Sequence, residues 1–361
     1  MKVFFVNTTK KWGGGEKWHL ETACAMSNRG HEVAIMALPG KDLYKRSVSC
    51  GMRTITVHVS NLSFLNPFRL ISIIKLLKKE NPAILILNFS SDIKTVGVAA
   101  KFAGIRNIIY RRGSAIPIRN TLVNRLLYKK VVTHIIATSI ETKRTILQNN
   151  SKLFPAGKIT VLYNGIDLEQ LDRMPDNKLY QRKKNEVLIG NVGRLVLIKG
   201  QKYLIEMALI LKKKGINFKV LIAGEGLQEA SLKQMAVKAG VEDQLVFLGF
   251  INNIKAFMDN IDIFVLTSLS EGFGYVLVEA MACRKPVVAF NTSSMPEIIA
   301  NNKTGFLVDN MDIDAFAQKV EYLIGNPILR ESLGQAGRRR VEEIFDVIKT
   351  EDHLEQLLTN F

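Results

Sequence analysis

Short β-rich runs alternate with helix-length stretches along the whole chain, and this alternation narrows the fold more than any other feature. In the first half the runs are KVFFVN, EVAIMAL, RTITVHV, AILILNF, NIIYRRG and THIIATS; in the second they are EVLIGNVG, FKVLIAG, QLVFLGF, DIFVLTS, PVVAF and TGFLVD. Between them lie helical patterns such as GEKWHLETACAMSNRG and NPFRLISIIKLLKKENP, the second closing on two lysines and a proline stop. Strand–helix alternation of this kind predicts parallel sheets covered by helices on both faces. Two such series predict an α/β chain of two doubly wound domains. The break is expected near KITVLYNGIDLEQLDRMPDNK, where regular patterning gives way to Asn, Gly, Asp and Pro. This sets a first domain at 1–165, a second at 166–340, and a terminal helix at 341–361 that is free to pack back on the first.

A chain of 361 residues is too long for one ordinary core, and its hydrophobic content of 47% is that of a folded globular protein. Cys24, Cys50 and Cys283 are odd in number and widely spaced, so neither a disulfide framework nor a zinc site is expected. The chain opens on the strand-like MKVFFVN without a basic-then-apolar leader, and no apolar run approaches the roughly 20 residues of a spanning helix. These features point to a cytosolic protein.

Net charge is +17, unevenly distributed. Residues 1–165 carry 26 Lys and Arg against 7 Asp and Glu, a balance of +19, whereas residues 166–361 carry 24 against 26, a balance of −2. The first domain is therefore expected to meet a polyanion: nucleic acid, an anionic bilayer or a phosphate-bearing substrate.

In open α/β sheets, ligands bind beyond the carboxyl ends of the strands. Three such loops in the second half carry suitable chemistry. NVGRLVLIKGQKYLIEMA places Arg194 and Lys199 between a strand and a helix, where both suit a diphosphate. IAGEGLQEASL offers the tight turn Gly224-Glu225-Gly226. In SEGFGYVLVEAMACRKPVV, Glu271 falls before a helix and Glu279 one to two turns inside it, with Gly274 at the helix start offering amides to an anion. Carboxylates accept hydrogen bonds from sugar hydroxyls, so the pair suits a sugar attached to a nucleotide; the competing reading is a loop residue and a solvated helix position. Gly13, Gly14 and Gly15 either line a ligand cleft or form a flexible strand–helix turn. Asp312 and Asp314 precede AFAQKV and are read as a helix N-cap and first turn, not metal ligands. The five histidines are scattered and are read as structural.

Taken in order, GGGEKWHLETACAMSNRGHEV, VLYNGID, GNVGRLVLIKG and SEGFGYVLVEAMACRKPVVA resemble the motifs of the family 4 retaining glycosyltransferases, over nearly the whole chain. That resemblance implies the GT-B fold, two Rossmann-like domains facing a cleft, and metal-independent chemistry without a cofactor. Arg194 and Lys199 would neutralise the donor diphosphate as the glycosidic bond breaks. Glu271, with the amides of Gly272, Phe273 and Gly274, would orient the donor sugar, and Glu279 would hold the ribose. Gly224 and Gly226 would also lie against the donor. Gly13, Gly14 and Gly15 would line the acceptor side. The chain departs from the family in two places. Where many members carry a His, it has Tyr110, Arg111, Arg112 and Gly113, so that either Arg111 or Arg112 would meet an anionic acceptor. Ser293, Ser294 and Met295 replace the usual glycines before Pro-Glu, bringing hydroxyls or a thioether towards the donor.

RNTLVNRLLYKKVV and FRLISIIKLLKK mix apolar residues with cations, and basic amphipathic helices lie on anionic bilayers. The reading is a hexosyltransferase that takes a nucleotide sugar, UDP-linked in preference to GDP-linked, to a lipid-linked or anionic glycan acceptor. Envelope polysaccharide or lipopolysaccharide synthesis at the inner face of the plasma membrane is the implied setting. A nucleotide-sugar epimerase of the same fold is the alternative; a glycoside hydrolase using Glu271 and Glu279 stands further off. No helix-turn-helix, zinc finger or RNA-binding motif supports a nucleic-acid partner.

Overall fold

The computed structural model describes residues 1–10, 12–60, 63–175 and 177–361. It divides into two compact units, Met1–Asn164 with Ile348–Phe361, and Gly165–Val347. The sheet of the first unit contains β1 (Lys2–Asn7), β2 (Glu32–Ala37), β3 (Thr54–Thr56), β4 (Ile84–Leu87), β5 (Asn107–Arg112), β6 (His134–Ala137) and β7 (Ile159–Val161). All neighbours pair in parallel, in the order β3-β2-β1-β4-β5-β6-β7. The second sheet contains β8 (Val187–Val192), β9 (Phe218–Ala223), β10 (Leu245–Gly249), β11 (Ile263–Leu266), β12 (Val287–Phe290) and β13 (Gly305–Val308), again parallel, in the order β10-β9-β8-β11-β12-β13.

Both faces of the first sheet are covered, which is why its strands are continuous apolar runs. In β1, Phe4 and Val6 enter the core with Met36, Leu85 and Leu87, while Val3 and Phe5 enter the opposite core with Ile35 and Ile86. The second of these cores also takes Trp18, Ala23 and Met26 from helix Gly14–Asn28.

All twelve expected strands form. The segment in which the break is expected also holds β7, the edge strand of the first sheet, followed by helix Leu168–Arg173. The terminal stretch is two helices, Pro327–Ile344 and Val347–Thr359. At the interruption, the Ile166 amide donates to the Phe345 carbonyl at 2.8 Å and the Val347 amide to the Ile166 carbonyl at 3.0 Å. The first of the two helices belongs to the second unit, where Arg338 grips Asp172 through both terminal guanidinium nitrogens at 2.9 and 2.8 Å.

The last helix completes the first unit. Leu354 and Leu358 are each 1% exposed, in the same core as Trp18 and Ile109. Arg29 donates to Asp352 at 2.6 Å and to Glu355 at 2.8 Å, and His31 bonds Glu355 at 2.8 Å. Leu354→Ala is expected to lower the stability of the first unit by roughly 2–5 kcal/mol, the cost of a buried leucine deletion. Urea unfolding measures this, and an unchanged midpoint would show that the terminal helix contributes little to that core.

Candidate functional site

Each sheet reverses its strand order beside its first strand, between β1 and β4 and between β8 and β11. There the connections leave towards opposite faces and open a crevice at the carboxyl ends of the strands. The chain places polar residues at these ends of its apolar strands: Asn7 closes β1, Asn88 follows β4, Asn191 lies at the end of β8, and Thr267 and Ser268 follow β11. Sequence reading passed over them, although VFFVN, ILILN, VLIGN and FVLTS repeat the same signal four times.

At the switch point of the second unit, the loops after β8 and β11 are tied together. Thr267 donates through its hydroxyl to the Gly200 carbonyl at 2.9 Å, and the Leu269 amide to the Ile198 carbonyl at 2.9 Å. Across this seam the Lys199 ammonium meets Glu271 Oε1 at 2.6 Å. Both side chains are largely buried, so the pair is screened less than a surface ion pair.

The loop after β9 joins from the other side. The Leu195 amide donates to the Glu225 carbonyl at 2.9 Å. A Cβ on Gly224 would stand 2.0 Å from the Gly193 carbonyl oxygen, and one on Gly226 would stand 2.2 Å from that of Leu195. Neither position admits a side chain, so these glycines fix how closely the loop bearing Arg194 packs on its neighbour. Arg194 itself is exposed, and Gln201 Nε2 donates to its carbonyl at 3.0 Å.

Glu271 is also held through its backbone. Its carbonyl accepts from the Ser293 hydroxyl at 2.6 Å and from the Ser294 hydroxyl at 3.1 Å. Both hydroxyls clamp the glutamate loop, and the Met295 thioether is fully buried. Ser293 has φ of 55°, a left-handed conformation that a non-glycine residue adopts at a cost of roughly 1–2 kcal/mol. The bonds to Glu271 offset that cost. Gly274 is the left-handed N-cap of helix Tyr275–Ala282, Phe273 is buried beneath it, Gly272 lies in the preceding turn, and Glu279 sits half-buried on the helix's second turn.

The first unit builds a separate polar cluster. Gly13 caps helix Gly14–Asn28, whose first turn contains Gly14, Gly15 and Glu16. The buried Glu16 accepts from Asn7 Nδ2 at 3.2 Å and from the Thr9 hydroxyl at 3.1 Å. A Cβ on Gly15 would lie 3.0 Å from Asn88 Nδ2. Arg111 donates to Asn88 Oδ1 at 3.2 Å and to Asn164 Oδ1 at 2.8 Å, and its guanidinium lies 4.2 Å from the Trp18 ring centroid. Successive side chains of a strand point to opposite faces, so Arg112 goes elsewhere. It donates to the Tyr110 hydroxyl at 3.2 Å and to the Ile116 carbonyl. Of the two candidate arginines, Arg111 therefore joins the Gly13–Gly15 cluster and Arg112 braces its own loop. Asn88, Asn164 and Trp18 are partners that sequence reading missed, because no local pattern links residues so far apart.

Burial and the Arg111 charge lower the pKa of His19 to about 3, leaving it a neutral structural residue that bonds the Gly15 carbonyl. Asp312 Oδ1 accepts from the Ala315 amide at 3.0 Å and caps helix Ile313–Gly325. Among the described residues no three of His, Cys, Asp and Glu form a metal-binding group.

Asp92 has no exposed surface; it accepts from the Thr8 hydroxyl and, at 3.0 Å, from the Phe89 amide, fixing the backbone just beyond β1 and β4. Burial raises its pKa from 3.8 to about 7, against the opposing pull of these hydrogen bonds. Between those values the folded chain binds a proton that the unfolded chain has released, so this group's contribution to stability falls as pH rises from about 4 to about 7. Asp92→Asn, which stays neutral, is expected to remove that fall. Urea unfolding of both proteins at pH values across this window tests it; parallel stability curves for wild type and variant would refute the raised pKa.

The Glycosyl transferases group 1 model matches residues 172–340, and the Glycosyltransferase Family 4 model matches residues 12–170. The capsular polysaccharide biosynthesis glycosyltransferase CapM of Staphylococcus aureus is 35% identical over 237 residues, 63% of this chain and 62% of that protein, so the alignment spans somewhat less than two thirds of that relative. The UDP-Gal:alpha-D-GlcNAc-diphosphoundecaprenol alpha-1,3-galactosyltransferase of Escherichia coli is 27% identical over 315 residues, 82% of this chain and 80% of that one. The crystal structure of Anabaena Alr3699/HepE in complex with UDP and glucose superposes over 100% of both chains with a TM-score of 0.85 at 20% identity, a likeness of fold.

Proposed function

This chain belongs to glycosyltransferase family 4 and has the GT-B fold, and we propose that it is a retaining, metal-independent hexosyltransferase acting from a UDP-sugar on a lipid-linked or anionic glycan in envelope polysaccharide or lipopolysaccharide synthesis. The observation that carries the reading is the Lys199–Glu271 pair, held across the switch point by loops too tightly packed to admit side chains at Gly224 and Gly226.

In this reading Lys199 and the exposed Arg194 take up the charge that develops on the departing diphosphate. Cations fixed before the reaction stabilise that charge without reorganising during it. Glu271 holds the Lys199 ammonium in place, and with the amides of Gly272, Phe273 and Gly274 orients the donor sugar. Glu279, on the helix that follows, holds the ribose. Gly224 and Gly226 let the backbone approach the donor. Gly13, Gly14, Gly15 and Arg111 serve the acceptor; the Arg111 guanidinium supplies a donor fork for a phosphate or carboxylate. The UDP preference draws on the E. coli relative, named for UDP-Gal, and the envelope setting on that relative and on CapM. The basic first unit would hold the enzyme at the inner face of the plasma membrane, with an anionic bilayer as its partner; nucleic acid is not expected to bind. Among the described residues no helix is long and apolar enough to cross a membrane, so the proposed contact is peripheral.

Calorimetry against a panel of UDP- and GDP-sugars tests the donor. One UDP-sugar is expected to bind tightly to the wild type and weakly to Glu279→Ala; silence across the panel would overturn the assignment. Lys199→Ala is expected to lower kcat/KM for that donor by about 10- to 150-fold, the loss of one charge-assisted hydrogen bond. An unimpaired variant would remove Lys199 from the machinery.

A further inference from the structure

Residues 93–140 contain nine Lys and Arg and no Asp or Glu. In the second unit, Lys199, Lys214, Lys233 and Lys255 each meet a carboxylate. In the first unit Lys2 meets Glu32 and Glu80, but a second group of lysines meets none. Lys101, Lys129, Lys130, Lys152 and Lys158 line a single cavity of about 500 Å³, and among the described residues none of the five is in an ion pair. Five like charges around one hollow repel one another, and an anion placed there relieves that repulsion. The neighbouring His134 feels the field: burial first, and then the Lys158 charge, hold its pKa below the ordinary value.

The cavity lies at the amino ends of β6 and β7, where Val132 and Thr133 lead into one strand and Lys158 into the other. It is thus at the opposite end of the sheet from Asn88 and Arg111. Helix Leu122–Lys130 joins the two ends, because it carries the chain from the carboxyl end of β5 back to the amino end of β6. Its outer surface is apolar as well as basic. Leu122 and Leu126 are 74% and 62% exposed, and with Lys130 they recur every fourth residue, on one face. Phe102, next to Lys101, is 71% exposed.

Nucleic acid or a soluble polyphosphate would satisfy the lysines and leave these apolar side chains in water. A bilayer takes both, phosphates at the lysines and Leu122, Leu126 and Phe102 at the boundary of the acyl chains. We infer that the lysine cavity receives the phosphate of an anionic phospholipid, with the exposed face of helix Leu122–Lys130 lying on the same bilayer. The inference rests on the membrane reading above and assigns it a surface. The loop 113–121 connects that helix to β5, so docking on this flank also brings the Arg111 end of the sheet alongside the bilayer, where the head of a lipid-linked acceptor lies.

Co-sedimentation with vesicles of equimolar phosphatidylglycerol and phosphatidylcholine tests the assignment, with vesicles of phosphatidylcholine alone for comparison. The wild type is expected to bind the anionic vesicles and to be released by raised salt. K101E/K129E/K152E is expected to bind at least about 100-fold more weakly, the factor for losing three interfacial cations before the three added carboxylates repel the bilayer. K213E/K238E/K303E, with the same charge change in the second unit, is expected to bind as the wild type does. L122S/L126S is expected to bind more weakly at every salt concentration. If the cavity triple binds like the wild type, the site is wrong and the membrane reading survives. If the wild type binds neither vesicle, both fall. If long-chain polyphosphate or duplex DNA binds through the same lysines while vesicles do not, the partner is a soluble polyanion and the inference is overturned.

Discussion

The reversal of strand order beside the first strand of each sheet is the constraint on which the remaining structure depends. Neighbouring parallel strands on either side of the reversal send their connections to opposite faces, because such crossovers are almost always right-handed. The connections therefore diverge beyond the carboxyl ends of β8 and β11, and of β1 and β4. Backbone groups left there need partners, and the chain supplies them with short polar residues and with loops bonded to one another. The ion pair of Lys199 with Glu271 forms where two such loops meet. Its members are 72 residues apart in sequence and adjacent only because β8 and β11 are neighbours.

Tight packing around that seam has its own costs. A serine occupies a left-handed conformation at 293, where glycine would sit without strain. The compensation is local: its hydroxyl, with that of Ser294, is committed to the Glu271 carbonyl. In the first unit the corresponding device is electrostatic. A guanidinium with only 2% exposure at Arg111 is tolerable because two asparagine carbonyls accept from it and an indole ring covers it.

Charge separates the units as clearly as geometry joins their logic. The second unit pairs Lys199, Lys214, Lys233 and Lys255 locally, whereas the first gathers five around a cavity with no carboxylate to answer them. Local pairing contributes little to stability at a surface, but it does cancel the long-range field. Leaving the field uncancelled on one flank gives that flank an attraction for anions that the rest of the chain lacks.

Much of this was legible in the residues themselves. Apolar runs bounded by helical patterns specify parallel sheets, because only strands buried on both faces lack polar alternation, and all twelve expected strands are present. The motif order identified the family, and Asp312 was readable as a helix cap because capping is a contact three residues long. The short strand Ile159–Val161 escaped notice because three residues among turn-formers carry little pattern. What the tertiary structure alone decided are the contacts between distant segments: which of Arg111 and Arg112 turns towards Gly15, that Ser293 and Ser294 hold a glutamate's backbone, that Leu354 and Leu358 complete the first core, and that five scattered lysines share one hollow. Periodicity and capping act over one or two turns of chain and so are written in the sequence, whereas these contacts depend on strand order and on which face of a strand a side chain leaves, neither of which any short stretch of residues contains.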